Sequence, residues 1–224
     1  MFKARMKFSK TGRAKYISHL DLMHTMQRSI ARAELPIWFT EGFNQHAYIS
    51  IALPLSTGFS GEWEFMDFQL LTETVPEDTV DRMNAALPEG LRALEIYALA
   101  DGGRPVKEIK WSGFRITYDF DNGVPDGFSQ DVEEILARES IELMKRSKRG
   151  EKLVNIREMI RETRLEAKEN QVFIYAVTAS DPGGSNLSPE YITKAIQTYG
   201  KGWQIDGASY HRYGVYDENM QLFR

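Results

Sequence analysis

The feature that most constrains this chain is the order in which two hydrophobic rhythms follow each other. Residues 2–10, FKARMKFSK, place Phe2, Ala4, Met6 and Phe8 on one side and Lys3, Arg5 and Lys7 on the other. That period of two predicts a half-buried strand with a basic outer face. After TGRAKYI, Ser18 and Asp21 stand in the spacing of a capping box, with Asp where Glu or Gln is usual. Leu22, Met26, Ile30 and Ala33 then recur at helical spacing until Pro36. PIWFTEG predicts a short strand, YISIALPLSTG an extended piece, and EWEFMDFQLL a clear alternating strand. PEDTVDRMNAAL predicts a helix with Pro near its start and acids in its first turn, and LRALEIYAL closes the series as a strand. The order β-α-β-β-α-β is that of the split βαβ, or ferredoxin-like, arrangement.

ADGGRP, residues 100–105, reads as a linker, and a similar rhythm follows it. VKEIKWSGFRITYDF is extended, FSQDVEEILARE is helical, and SIELMKRSK with GEKLVNIREMIRETRLEAKE gives a basic hairpin and a segment of mixed period. VFIYAVTAS is the clearest strand. SPEYITKAIQTYG is a helix with Ser188 as its cap, and WQIDGASYHRYGVY is the last strand. The expectation is an α+β protein of two ferredoxin-like units in tandem, residues 1–100 and 106–224. At 224 residues with 42% hydrophobic side chains, the chain can bury a core in one large or two small domains.

The net charge of −4 averages unlike regions. Residues 1–33 hold eight bases and one acid, whereas residues 60–101 hold two bases and ten acids. KRSKRGEK, residues 145–152, adds five bases against one acid. Such asymmetry suits an anionic partner on a basic surface. Lys3, Arg5, Lys7, Lys145, Arg146, Lys148 and Arg149 are the candidate nucleic-acid contacts; solvated faces of strands and helices are the plainer reading. No apolar run approaches a membrane span and no secretory pattern opens the chain, so a cytoplasmic protein without a membrane partner is expected. There is no cysteine, which excludes disulfides, thiolate zinc sites, cysteine nucleophiles and Cys-ligated iron–sulfur clusters on this chain.

Motif searches for a P-loop, G-x-G-x-x-G, H-E-x-x-H and G-x-S-x-G are negative. His19 and His24 are five apart and diverge on a helix, so no metal site is expected. DPGGSN, residues 181–186, precedes a helix and offers either a phosphate cradle or a plain turn. The distinctive stretch is residues 41–64, in which Phe43, Asn44, His46 and Tyr48 gather aromatic and polar edges beside Gly42, Pro54 and Gly58. Aromatic stacking with polar edges near basic strands is one way single-stranded RNA is held. A packing loop anchored by Phe43 is the other reading.

Phe8, Ser9, Lys10, Gly12, Tyr16, Ser18, His19, Leu20, Asp21 and Leu22 follow an F-S-K-x-G-x-x-aromatic-x-S-H-L-D-L pattern. Gly42, Phe43, Asn44, His46, Pro54, Leu55 and Gly58 follow a Gly-Phe-Asn-Pro-His-Pro…Pro-Leu-x-x-Gly pattern, with Gln45 and Ala47 in place of two prolines. On these motifs the chain resembles the radical-SAM-linked (radical-SAM-associated) protein family, a bacterial domain of unknown function. Asn155 stands where that family has an Asp/Asn-centred basic strand. Members of the family occur beside or fused to radical SAM proteins with a cobalamin-type domain. The resemblance implies an accessory protein without catalytic activity or cofactor of its own, whose radical SAM partner carries the iron–sulfur cluster and SAM. It implies RNA, tRNA or rRNA, as the substrate presented, with Lys10, Arg13, Lys15, His19, Asp21, Phe43, Asn44 and His46 shaping the pocket. Two alternatives stand beside it. One is a metal-independent RNA endonuclease of paired ferredoxin-like type using His19 or His46 with Lys10. The other is a protein-interaction scaffold for the radical SAM partner.

Overall fold

The computed structural model describes residues 2–43, 45–101, 103–147 and 150–224. Of the residues singled out above, Asn44, Lys148 and Arg149 lie outside the described residues. The architecture is α+β, with four α-helices among the described residues. The chain divides into two compact units, one of Met1–Val106 with Phe223–Arg224 and one of Lys107–Leu222.

In the first unit, β1 (Phe2–Lys10), α1 (His19–Arg32), β2 (Ile49–Ala52), β3 (Ser60–Leu70), α2 (Thr79–Ala86) and β4 (Leu91–Ala98) follow one another. The strands lie in the order β4-β1-β3-β2, and these pairings are antiparallel. Ala4, Met6 and Phe8 of β1 and Met66, Phe68 and Leu70 of β3 meet Leu22, Met26 and Ile30 of α1 and Met83 of α2. Helical spacing puts those α1 residues on one stripe, and burying the stripe is what makes the helix stable. Its start is capped by Ser18, whose Oγ accepts from the Asp21 N–H at 3.1 Å and donates to Asp21 Oδ2 at 2.7 Å. The carboxylate of Asp21 thus takes the cap's own hydroxyl instead of completing a capping box.

In the second unit, β5 (Trp111–Asp119), α3 (Phe128–Leu136), β6 (Glu142–Ser147), β7 (Gly150–Asn155), β8 (Ile160–Lys168), β9 (Gln171–Ala179), α4 (Glu190–Tyr199) and β10 (Gly207–Tyr216) follow. The sheet order is β10-β5-β9-β8, again with antiparallel pairings, while β6 and β7 form a separate hairpin. Ile116, Tyr118, Val172, Ile174 and Ala176 pack against Phe128, Val132 and Ile135 of α3 and Ile192, Ala195 and Ile196 of α4. Inside this core, the Thr193 hydroxyl bridges the Tyr118 and Tyr210 hydroxyls at 2.9 Å each. Burial pushes the Tyr118 phenol well above its ordinary value.

Two expectations about local structure are corrected. PIWFTEG is not a strand: Ile37 bridges Leu70 and Phe39 bridges Ala47, so the segment turns away from the sheet edge after Trp38. The α4 cap is Pro189, with no side-chain hydrogen bond to it, and the Ser188 hydroxyl accepts from the Glu190 N–H at 3.4 Å and donates to Glu190 Oε2 at 3.1 Å. Pro lacks the N–H and has the fixed φ that suit a helix start.

Candidate nucleic-acid interface

The basic turn Gly12–Tyr16 is held from two sides. The Thr11 N–H donates to the Gly90 carbonyl at 2.7 Å, and the Gly58 N–H donates to the Lys15 carbonyl at 2.7 Å. Gly90 has φ +88° and lies so close that a Cβ there would stand 2.6 Å from the Thr11 oxygen, so only glycine fits. The turn presents Arg13 to solvent, with the Lys15 ammonium 5.0 Å from the centre of the Tyr16 ring. Tyr16 and, at the start of α1, Leu20 are exposed beside His19.

The Phe43 segment is a short arm extruded from the sheet edge. Trp38 bonds β3 through its N–H to the Gln69 carbonyl at 2.8 Å, and Ile49 resumes pairing opposite Phe68. Between them the chain doubles back: Thr40 N donates to His46 O at 2.9 Å, Thr40 Oγ1 lies 3.3 Å from His46 Nδ1, and Trp38 meets Tyr48 edge-on at 5.8 Å. Gln27 of α1 donates to the Ala47 carbonyl at 3.3 Å and ties the arm's base to the helix. Phe43 stands at the tip with its whole side chain in solvent, and Phe39 and Tyr48 are exposed below it. His46 is bound to Thr40 within the arm and Asp21 to Ser18 at the helix start.

The basic outer face expected of β1 is largely covered. Lys3 alone is exposed, beside a cleft of about 250 Å³ with Tyr48, Ser50 and Asp67. Arg5 is 1% exposed, with Nε at 2.6 Å and Nη2 at 2.9 Å from the Asp67 carboxylate and Nη1 at 2.7 Å from the Arg104 carbonyl. Burial pulls its pKa down, but the Asp67 bond and charge outweigh this and hold it above its ordinary value. Phe223 closes over the pair, 5.2 Å from Phe65, with the Arg5 guanidinium 5.1 Å from its ring. Lys7 is half-buried with its ammonium 2.9 Å from the centre of the Trp63 ring, and burial lowers its pKa against the opposing pull of Glu95 and Glu62. Lys10, the last residue of β1, is 1% exposed, and the register against β3 shifts between Phe8 and Lys10. Arg5, expected as a nucleic-acid contact, is therefore buried instead of offered to solvent, and so is Lys10, expected to line the pocket.

In the second unit the hairpin lies along α4. The Arg146 N–H donates to Tyr191 Oη and the Glu142 N–H to Tyr199 Oη, each at 3.2 Å. Lys145 bonds the Asn186 carbonyl, and burial lowers its pKa. Arg146 stays exposed, as do Met144 and Leu153, which face each other across the strands. Asn155 is a joint: its Oδ1 accepts from Ile141 N at 2.9 Å and Arg157 N at 3.1 Å, closing the hairpin's base. The DPGGSN loop is a turn bound by its own Asp181, which accepts from Gly183 N at 2.9 Å and pairs with Lys110 at 2.6 Å. The Lys110 bond first, then the Gly183 N–H, hold the Asp181 carboxyl below its ordinary value. The Gly183 N–H and the Lys110 ammonium are thus already taken by a carboxylate of the chain itself. Among the described residues no group of three or more His, Asp or Glu side chains could hold a metal ion, and no helix is long and apolar enough to cross a membrane.

The sequence of residues 3–189 matches the model of a family described as uncharacterized protein conserved in bacteria (DUF2344). The chain belongs to that family. The match takes in the basic turn, the arm, the hairpin and the DPGGSN loop of this DUF2344 protein. No curated protein matches it. Among solved structures, a chain of a Cbf5-Nop10-Gar1 complex is similar over 96% of this chain at 9% identity and a TM-score of 0.49, and this chain spans 50% of its length. An unknown protein from Galdieria sulphuraria is similar over 94% of this chain and 98% of its own, at 10% identity and a TM-score of 0.26.

One surface escaped the sequence reading. Period two along β9 separates Val172, Ile174 and Ala176, which face the helices, from Phe173, Tyr175 and Val177. Both sets are apolar, so alternation alone did not mark the second as a surface. The signal available was an aromatic pair two residues apart.

Proposed function

We propose that this protein binds RNA and presents it to a separate enzyme. It serves as the accessory half of a radical SAM system that modifies tRNA or rRNA. The observation that carries the reading is Phe43: a large apolar ring held entirely in solvent by a hydrogen-bonded arm. Burying such a ring is worth about 1.5–3 kcal/mol, and bases stack on exposed rings of this kind. The arm's remaining exposed aromatics and the cations Arg13 and Lys15 fit the same class of ligand.

Support for the finer fold comes from strand order. Both units run fourth-first-third-second among their sheet strands once the hairpin β6–β7 is set aside as an insertion, the order of a split βαβ unit. We read them as two ferredoxin-like units, a scaffold on which single strands of RNA are commonly held. Support for the radical SAM partner comes from the resemblance in residues 8–22 and 42–58, and the absence of cysteine assigns any cluster to another chain.

Fluorescence anisotropy with a short single-stranded RNA, repeated over a salt series, tests the reading. Affinity is expected to fall steeply with salt. Phe43→Ala is expected to weaken binding about tenfold, within the range for loss of one stacked base. Arg13→Ala with Lys15→Ala is expected to flatten the salt dependence by up to about two phosphate contacts. No RNA affinity at low salt sinks it. Retention of the radical SAM enzyme after nuclease treatment, without RNA, assigns the arm to protein docking instead.

A further inference from the structure

The face of the second unit's sheet that turns away from α3 and α4 carries an organised set of side chains. Antiparallel register places Arg115 of β5, Tyr175 of β9 and Arg164 of β8 side by side in one row across three strands. The next row holds Thr117, Phe173 and Glu166. Arg115 and Arg164 are exposed, and Phe173 and Tyr175 are part-exposed. Two positions along a strand separate neighbouring rings by about 7 Å.

The rings are held and oriented. Tyr213 of β10 lies edge-on to Tyr175 at 6.0 Å. Its ring passes over Gly113, where a Cβ would stand 2.6 Å from the ring carbons. The Arg164 guanidinium sits 4.3 Å from the centre of the Tyr175 ring, and the Lys168 ammonium 5.1 Å from that of Phe173. A planar cation stacked on Tyr175 occupies the position in which a planar base would stack.

We propose that this face is a second RNA site, in which single-stranded RNA stacks successive bases on Tyr175 and Phe173. Arg164 moves from the Tyr175 ring to a phosphate as the base arrives, and Arg115 takes a phosphate on the other side of the row. The choice of RNA rests on charge and geometry together. The Tyr175 row carries two cations and no acid, and the aromatics lie on a central strand with hydroxyl and guanidinium donors beside them. A sheet with aromatics at alternate positions of a central strand is a known way to stack two or three bases. Arg164 also pairs with Glu166 at 2.6 Å, so the arginine is poised between ring, carboxylate and ligand instead of being locked into a core.

The inference rests on the reading that the chain binds RNA, and its test separates the two. Phe173→Leu with Tyr175→Leu removes both stacking surfaces while keeping apolar bulk. Arg115→Ala probes the phosphate contact, and thermal unfolding of each variant checks that the fold persists. With a short uridine-rich single strand as probe, the double leucine variant is expected to bind about tenfold or more weakly than wild type. Ultraviolet cross-linking is expected to attach uridine to the peptide containing Phe173 and Tyr175. If wild type binds and Phe43→Ala weakens it, but the leucine variant binds normally and no cross-link falls on β9, this site is wrong and the arm remains. If wild type binds no RNA, both readings fall. If the leucine variant loses a protein partner and never RNA, the face docks protein.

Discussion

The two units lay out their sheets in the same strand order and use the helix-free face in opposite ways. In the first unit the 223–224 segment covers the part of that face around Arg5. Phe223 is 1% exposed, its carbonyl accepts from Trp63 Nε1 at 3.2 Å, and Arg224 pairs with Glu95 at 2.5 Å. Beneath it, Arg5 and Asp67 form an ion pair between rings. In the second unit the matching face keeps Arg115 and Arg164 in solvent, with Arg164 over the Tyr175 ring. An arginine enclosed with one carboxylate acts as structure, whereas an arginine on an open ring can exchange that ring for a ligand. Covering decides the role more than residue type does.

The strongest test of this contrast is to remove one partner of each arginine. Asp67→Ala leaves the Arg5 charge buried without its carboxylate, so the expected loss of stability is about 3 kcal/mol or more, read from urea unfolding. Glu166→Ala beside the exposed Arg164 is expected to cost less than about 1 kcal/mol. Equal losses would show that the two faces are not different in kind. Phe223→Ala comes next. Emptying a site enclosed by Phe65, Arg5 and Arg104 is expected to cost about 3 kcal/mol, and an unchanged unfolding midpoint would mean that the 223–224 segment only rests on the sheet.

The smallest effect belongs to the open face. Burial pushes the Tyr213 phenol up to about 12. A raised value means that the folded state favours the neutral ring, so its contribution is fully present below the ordinary value of 10.0 and is lost as pH rises through the folded one. Gly113→Ala pushes the ring off the strand, and its titration, followed by ultraviolet absorbance, is expected to move back toward 10.0. A titration that stays near 12 would place the cause of the shift elsewhere than in the contact over Gly113.

Local pattern made the α+β class and the order of helices and main strands legible. The stripe Leu22, Met26, Ile30 and the alternation Phe2, Ala4, Met6, Phe8 each specify an element and its buried side without long-range help. The hairpin was visible too, because a basic run centred on Gly150 separates SIELM from LVNI. What failed involved partners far away in sequence. Nothing near Arg5 announces that Asp67, 62 residues on, and Phe223 will enclose it. The burial of Lys10 goes with register shifts against β3 and β4 that its own neighbourhood does not announce. PIWFTEG has strand propensity but is drawn into the arm by Thr40, His46 and Gln27. Of the candidate site, Phe43, Arg13 and Lys15 could be picked from composition and spacing, whereas the bonding of His46 to Thr40 within the arm required the fold.

The seal on the first unit also has a consequence in time. Residues 1–106 leave the ribosome long before Phe223, and the whole of the second unit is made between them. Until that segment arrives, Phe65 lacks its ring partner and the Arg5 guanidinium lacks the Phe223 ring on one side. Contacts spanning so much of the chain close slowly, and a nascent domain awaiting them presents apolar surface to chaperones and neighbouring chains. Completion of the first unit's surface therefore waits on synthesis of the second unit, which lies between its two pieces in the chain.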